Sequence, residues 1–148
     1  FVDHAAPHCT STVGYKGALQ GADARTVWVG DVLIRASAEG TSTYEINRNL
    51  ILTDGARADS VPNLEIETGE IIGAGHASAT GRFDDEQLFY LEARGIPRDE
   101  ALRLVVRGFF AEIVTKIPVA EVQGSLTQAI EAELASTACG QTATQGQP

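Results

Sequence analysis

Residues 75–96 read GHASATGRFDDEQLFYLEARGI, and the character of the chain changes within this stretch. Upstream of it, short runs of β-branched and aromatic residues lie between small and turn-forming residues, a pattern typical of strands. Downstream, three acidic residues at 84–86 precede apolar residues at helical spacing, and negative charge is favoured at a helix N-terminus. We therefore predict a β region over residues 1–80 and a helical region over residues 81–135. The small polar residues that follow predict a disordered tail over residues 136–148.

The β region contains no segment of helical length between its predicted strands, which argues against βαβ units. The runs at 26–29, 32–34, 49–52 and 71–72 and the alternating residues 64–67 predict strands. Gly30-Asp31, Asp54-Gly55 and Gly69-Glu70 are typical turn pairs. Composition alone leaves a sandwich, a barrel and a parallel β-solenoid open.

The helical region predicts three helices. The first follows residues 84–86 and ends before Gly95, which suits the position after a helix C-terminus. The second begins at Pro97 and runs to about Lys116, and the third begins at Pro118. Apolar residues such as Phe110 extend beyond one helical stripe, so either the β region or a separate partner is expected to cover the surplus.

The composition excludes several classes of protein. The 148 residues carry a formal net charge of −9, which argues against a general nucleic-acid binder and against a protein that binds anionic membranes. No apolar run approaches the ~18 residues of a membrane span. The 2 cysteines form no disulfide framework and fit a reducing compartment. Because the chain begins with Phe1 and lacks methionine, we expect a fragment or a processed product.

The sequence lacks the motifs of three common kinds of active or binding site. There is no GxSxG nucleophile elbow and no GxxxxGK[ST] phosphate-binding loop. No GxGxxG follows a predicted strand and opens a helix. The chain is therefore not expected to bind nucleotide by itself.

The histidines are the remaining candidates for chemistry. His4 and His8 precede Cys9, but four residues of extended chain span ~13 Å, too far for one metal ion, so we expect surface or edge polar residues. Residues 84–86 are explained as a solvated helix N-terminus. His76 is flanked by small residues, which allow another backbone or a ligand to approach closely. From the residues alone, both a structural and a functional role remain open for His76.

The stretch 75–96 resembles the SufB/SufD family of iron–sulfur cluster assembly proteins. The resemblance continues at 100–101 and 108–109, and upstream at 4–8, 15–17, 43–49 and 54–66, so it spans about residues 4–134. Ser78 departs from the family pattern, which has alanine there. The pair His76-Ala77 and residues 81–86 are nearer to the SufD type, because the SufB type tends to read His-Glu-Ala-Thr here. The chain would be the C-terminal part of a longer parent.

The resemblance implies a mainly β plus α fold. It implies the C-terminal coils of a right-handed parallel β-helix over residues 1–80, followed by a small helical domain that docks a partner. On this fold, six side chains are expected to point mostly inward: Val32, Ile34, Leu50, Leu52, Leu64 and Ile66.

The resemblance also implies a function, that of a SufD-like scaffold subunit without enzymatic activity. Such a subunit pairs with a SufB-like subunit and docks SufC, an ABC-type ATPase that hydrolyses ATP. His76 is expected to act in cluster assembly as an auxiliary iron ligand. The expected docking residues are Tyr90, Arg94, Gly95, Ile96, Arg107 and Phe110.

Further expectations concern cofactors, partners and location. The chain is expected to hold no tightly bound cofactor, a transient iron–sulfur cluster arising only in the complex. We expect a cytoplasmic protein without nucleic-acid or membrane partners, which can form a homodimer when isolated. Two alternatives stay open: a β-helix enzyme acting on carbohydrate or acyl substrates, using His76 with Glu70 or Asp84, and a purely structural interaction module.

Overall fold

The chain forms two compact units, described here from a computed structural model. The first unit is Phe1–Phe83 and the second begins at Asp84. The structure describes the backbone of residues 1–141 and the side chains of residues 1–135. The strands are β1 (Val2–His4), β2 (Thr10–Leu19), β3 (Arg25–Ile34), β4 (Ser42–Ile51), β5 (Arg57–Ile66) and β6 (Gly73–Arg82). The helices are α1 (Asp85–Ala93), α2 (Arg98–Val114) and α3 (Ala120–Gln141).

All the strand pairs of the first unit are parallel. One open sheet has the order β1-β3-β5 and the other has the order β2-β4-β6, so successive strands alternate between the two sheets. Each residue pairs with one that lies 30 to 32 positions later in the chain, as in Val2 with Val32 and Thr10 with Ser42. The first unit contains no helix between strands, as predicted, and the architecture is a mixed β and helical one.

A small apolar core lies in the first unit. Val32, Ile34 and Ala38 are buried, and Leu64 packs against them. Val32 and Ile34 are therefore inward, as predicted. The prediction that Ile66 is a core residue is wrong, because Ile66 lies on the outer strand β5 and is 42% exposed.

Leu50 and Leu52 also differ from the prediction of inward side chains, since both are only half-buried. On β4 the inward positions belong to Asn49 and Ile51, and side chains alternate between the faces of a strand. Leu50 therefore points to the opposite face. Leu52 lies just after the end of β4.

Several strand boundaries differ from the sequence-based prediction. Gly30-Asp31 forms no turn, because β3 continues without a break through residues 25–34. Residues 71–72 lie in the loop before β6. The sequence did not predict β2 or β6, since glycine, serine and alanine carry a weak strand signal.

The three helices follow their local sequence signals. Asp84 caps α1 by accepting a hydrogen bond from the Glu86 N–H at 2.9 Å. Gly95 follows the α1 C-cap residue Arg94 with φ of 84°, a left-handed conformation in which glycine is unstrained. Pro97 lies at the N-cap of α2 and not inside its first turn. None of these helices, in the part of the chain described, has both the length and the apolar character of a membrane span.

The predicted boundary at residue 135 falls inside α3. This helix continues to Gln141, six residues further than expected. The rest of the predicted disordered tail, residues 142–148, lies outside the described residues.

Candidate functional site

Strand β4 turns polar side chains toward the interior of the first unit. Burial alternates along the strand, and the outward-facing Tyr44 is 47% exposed. Four inward positions are only 3–5% exposed and carry Thr43, Glu45, Asn47 and Asn49. A strand with one solvated face normally buries its apolar residues, so the pattern here is inverted. Buried polar groups are costly unless they are hydrogen-bonded, so each one requires an account.

A hydrogen-bonded triad satisfies two of these residues. Asn49 Nδ2 donates to Asn47 Oδ1 at 2.6 Å. Ser60 Oγ donates to the same oxygen at 2.7 Å. Because Ser60 belongs to β5 and the asparagines to β4, this triad connects the two sheets.

A second polar chain begins at His4, which is 4% exposed. His4 Nε2 lies 3.0 Å from Ser11 Oγ, and Ser11 Oγ lies 2.7 Å from Thr43 Oγ1. The sequence predicts His4 to be a surface or edge residue. It does lie on the outer strand β1, but the surface part of the prediction is wrong, because its ring joins the two sheets from inside. His8 is exposed and Cys9 is half-buried with a free thiol.

Glu45 differs from its buried polar neighbours because part of its carboxylate is unsatisfied. Oε2 is buried and has no hydrogen-bond partner among the described residues. Oε1 lies against Gly30 on β3, where an added Cβ would overlap both this oxygen and the Trp28 ring. Gly30 is therefore required by close approach, because a larger residue would displace the glutamate or the indole.

The surroundings of Glu45 disfavour its ionised form. Burial raises the pKa of Glu45 above its ordinary value, and the charge of Asp31 adds to this effect. The neighbouring His76 opposes it by lowering the pKa of Glu45. Burial is the largest of these influences, so the net direction is upward.

His76 lies on β6 directly opposite Glu45 in the parallel register. Parallel neighbours share a face, so both side chains start from the inward face of this sheet, on backbones about 4.8 Å apart. Since β6 is an outer strand of its sheet, the His76 side chain is exposed whereas Glu45 is buried. The site therefore combines a buried carboxylate with an accessible imidazole.

The described part of the chain offers no complete metal site. No group of three or more His, Cys, Asp or Glu side chains is placed to hold an ion there. Glu45 and His76 together supply one oxygen and one nitrogen donor group. A metal ion at His76 would need ligands beyond these two groups.

Sequence reasoning found His76 but missed Glu45 and the asparagines of β4. A signal was present, because threonine, glutamate and asparagine recur at every second position from 43 to 49. Period-two alternation predicts a strand but does not tell which face is buried. Polar residues are normally assigned to the solvated face, and here that assignment fails.

Comparison with known proteins identifies the family. Residues 1–109 match the family model described as the SufBD core domain of SUF system FeS cluster assembly. The chain belongs to the SufB/SufD family. This family takes part in iron–sulfur cluster assembly.

Relatives within the SufB/SufD family extend the match. An iron–sulfur cluster assembly SufBD family protein of Mycobacterium tuberculosis H37Rv is 73% identical over 142 residues, covering 92% of this chain and 36% of the relative. One from Mycobacterium leprae is 66% identical over 148 residues, covering 96% of this chain and 38% of the relative. The SufD protein of Bacillus subtilis is 39% identical over 108 residues, covering 73% of this chain and 24% of the relative. The chain thus spans little more than a third of the length of these two mycobacterial relatives.

In this SufB/SufD chain, the predicted docking residues form two groups within the helical unit. Tyr90 is 55% exposed, and the Arg94 guanidinium lies 4.6 Å from the centre of its ring. The Ile96 N–H bonds to the Leu91 carbonyl at 3.2 Å, next to Gly95. This group therefore forms the structured end of α1.

Arg107 and Phe110 form the other group. Both line a groove of about 640 Å³ between α2 and α3. Arg107 forms ion pairs with Glu100 and with Glu131 of α3, and these hold its side chain in place. Phe110 packs edge-to-face on Phe109, with ring centres 5.3 Å apart. Tyr90 lines a separate depression with Val105, so the structure does not join all the predicted docking residues in one groove.

Proposed function

We propose that this chain is part of a SufD-type subunit of a scaffold complex on which an iron–sulfur cluster is built. The 39% identity with the SufD protein of Bacillus subtilis supports the SufD type. The pair His76-Ala77 supports it as well, since the SufB type tends to carry glutamate after this histidine. The scaffold is cytoplasmic and its SufD-type subunit is not an enzyme.

The observation that carries this proposal is the incomplete ligand set around His76. The imidazole is exposed on an outer strand, and no third His, Cys, Asp or Glu joins it and Glu45 among the described residues. A neutral imidazole is a competent iron ligand. An incomplete set of this kind suits a cluster that forms between subunits, with the remaining ligands supplied by a SufB-like partner. The chain alone then holds no cofactor tightly and is colourless and free of iron.

The first unit is proposed to be the last coils of a right-handed parallel β-helix. The alternation of strands between two parallel sheets, with partners 30 to 32 residues apart, supports this assignment. Crossovers between parallel strands of one sheet are almost always right-handed. A crystal structure with left-handed coils, or with an antiparallel sandwich, would contradict it.

Replacing His76 with alanine in the full-length protein, within its complex, tests the role of this residue. We expect the complex to assemble normally and the yield of cluster to fall about tenfold or more, as for the loss of a ligand. Cluster yield is measured as iron and sulfide per complex after anaerobic reconstitution. Ser78→Ala is the matched control, because Ser78 is also exposed and lies two residues along the same face of β6. A normal cluster yield from His76→Ala would overturn the role.

The helical unit is proposed to dock the ABC-type ATPase. Surplus apolar surface supports this, since Phe89 is 72% exposed and Val119, Val122 and Leu126 are 40–47% exposed. Arginine and aromatic side chains are the residues that most often dominate the energy of an interface. Both Arg107 and Phe110 lie in the groove between α2 and α3.

Phe110→Asp tests the docking proposal. We expect loss of ATPase binding in a pull-down assay, with an unchanged circular dichroism spectrum. Leu104→Asp is the control, because Leu104 lies on the same helix, is 38% exposed and does not line the groove. Binding that survives in Phe110→Asp would contradict this surface.

A further inference from the structure

We propose that Glu45 is a positioning residue for His76, accepting a hydrogen bond from the imidazole so that one ring nitrogen faces outward to the metal. This inference rests on the proposed role of His76 as an iron ligand. It adds a carboxylate behind the imidazole, within the same chain and on the neighbouring strand.

The register places the two side chains together. Glu45 and His76 are direct partners in the pairing of β4 with β6, so they start from the same face of the sheet. Their electrostatic interaction is attractive and lowers the pKa of Glu45 against the effect of burial. A glutamate side chain is long enough to reach the ring of its direct neighbour across about 4.8 Å of sheet.

The carboxylate has a free acceptor and a fixed position. Glu45 is 3% exposed, and its Oε2 has no hydrogen-bond partner among the described residues. Its Oε1 is held against the bare backbone of Gly30. A buried acceptor without a partner destabilises the folded state, and a hydrogen bond from the His76 ring would remove this cost.

A carboxylate that accepts a hydrogen bond from the His76 ring would have a definite role in metal binding. Histidine ligands usually donate their second ring N–H to a carboxylate, which fixes the tautomer and makes the ligand more basic. An exposed imidazole on an outer strand without such a partner would sample both tautomers and several orientations. A rigid strand partner is therefore the means by which this surface histidine can present one nitrogen in a constant direction.

The other polar groups near Glu45 already have hydrogen-bond partners. Asn47, Asn49 and Ser60 form hydrogen bonds with one another, and Thr43 forms one with Ser11. Asp31 is bonded to Asn63 at 2.8 Å. Glu45 is thus the buried inward-facing group of β4 that combines a free acceptor with a register position directly opposite His76.

The test is nitrogen NMR of the full-length protein labelled with ¹⁵N-histidine. The His76 signals are assigned by their loss in His76→Ala. We expect the two ring nitrogens of the wild type to show the well-separated shifts of a single tautomer. In Glu45→Met, which removes the acceptor but keeps a similar volume, we expect the two shifts to move toward each other. Glu45→Gln keeps a neutral acceptor and should restore most of the separation.

Cluster assembly in the complex provides the second measurement. Loss of an outer-shell partner typically costs 10–100-fold in metal affinity, so we expect Glu45→Met to lower the cluster yield at limiting iron about tenfold. Glu65→Met is the matched control, because Glu65 is exposed on β5 and is not a register partner of His76.

The outcomes separate this inference from the proposed function. If Glu45→Met leaves the His76 shifts unchanged, the inference is overturned, even if His76→Ala abolishes cluster assembly. If the shifts merge in Glu45→Met but His76→Ala assembles clusters normally, Glu45 does position His76 and the proposed role of the histidine fails. Should Glu45→Met unfold, Glu45→Ala with the same NMR measurement takes its place, and unchanged shifts again overturn the inference.

Discussion

Ile34 and Ile66 are paired residues of the same type in opposite surroundings. They are direct partners in the register of β3 with β5, yet Ile34 is fully buried and Ile66 is 42% exposed. We expect Ile34→Ala to lower the free energy of unfolding by about 2–5 kcal/mol, through lost burial and the cavity left behind.

The matched variant Ile66→Ala should lower the free energy of unfolding by about 1 kcal/mol or less. Chemical denaturation followed by the fluorescence of Trp28, the only tryptophan in the sequence, reports on the first unit. Equal costs for the two isoleucines would show that the core does not lie where the structure places it.

Glu45 should make the stability of the protein depend on pH in an unusual direction. Burial raises the pKa of Glu45 above its reference value of 4.5, against the opposing effect of His76. Below this pH the carboxyl is protonated in both folded and unfolded chains. As the pH rises through 4.5, the unfolded chain ionises first, so the folded state loses stability relative to it.

Because glutamine does not ionise, the comparison with Glu45→Gln isolates this effect. The difference in free energy of unfolding should move in favour of the variant as the pH rises from about 4 to 7. Denaturation at several pH values measures it, and Glu65→Gln, on an exposed strand position, is the control. A difference that is constant with pH would refute the raised pKa.

The sequence allowed only part of the core and of the candidate site to be predicted. Val32 and Ile34 could be placed in the core because they belong to the short apolar run 32–34, a pattern typical of a buried strand. Glu45 could not, because its burial depends on the bare backbone of Gly30, which lies 15 positions earlier in the chain. Local sequence contains no information about which glycine faces which glutamate.

At the scale of elements, the N-terminus of α1 depends on one side chain. Asp84 accepts a hydrogen bond from the Glu86 N–H, whereas Asp85 begins the helix without an equivalent cap bond. We expect Asp84→Ala to destabilise the helical unit by about 1 kcal/mol. Asp85→Ala, which removes a charge near the same helix end, should cost less, about 0.3–1 kcal/mol.

Far-ultraviolet circular dichroism during thermal unfolding, with amide exchange in α1, measures this difference. If Asp85→Ala costs as much as Asp84→Ala, charge and not the capping bond stabilises the helix N-terminus.

The helices were more predictable than the strands for a physical reason. Caps, terminators and acidic first turns are local signals, and those of α1 stand within residues 84–95. Strands β2 and β6 are stabilised mainly by their pairing with β4, about 30 residues away in sequence. Their glycine and alanine residues have low strand propensity, so long-range pairing overrides the local preference.

At the scale of the whole molecule, both sheets of the first unit end in an outer strand. β5 and β6 each pair on one side only within the described residues. Outer strands with free backbone groups are templates for pairing with another chain. We expect the isolated chain to form a homodimer at micromolar concentrations, which sedimentation velocity over a dilution series would detect.

A charged residue on this edge should weaken the association. Val61→Lys on β5 is expected to shift the dimer toward monomer, since lysine is a common protection of outer strands. Val122→Lys is the matched control, because the two valines are 46% and 43% exposed and Val122 lies on helix α3. A monomer at all concentrations, or equal effects of the two substitutions, would contradict edge pairing.

The repeat of 30 to 32 residues between paired strands also governs where this chain tolerates changes in length. Removing one residue within β4 would turn every later side chain of the strand to the other face, which would expose the asparagines and bring Arg48 inward. The loops at 35–41 and 52–56 carry no such constraint, because a corner can lengthen without shifting the strand that follows it. Natural insertions and deletions should therefore collect at these corners, and a tag or probe inserted there should leave the alignment of Glu45 with His76 intact.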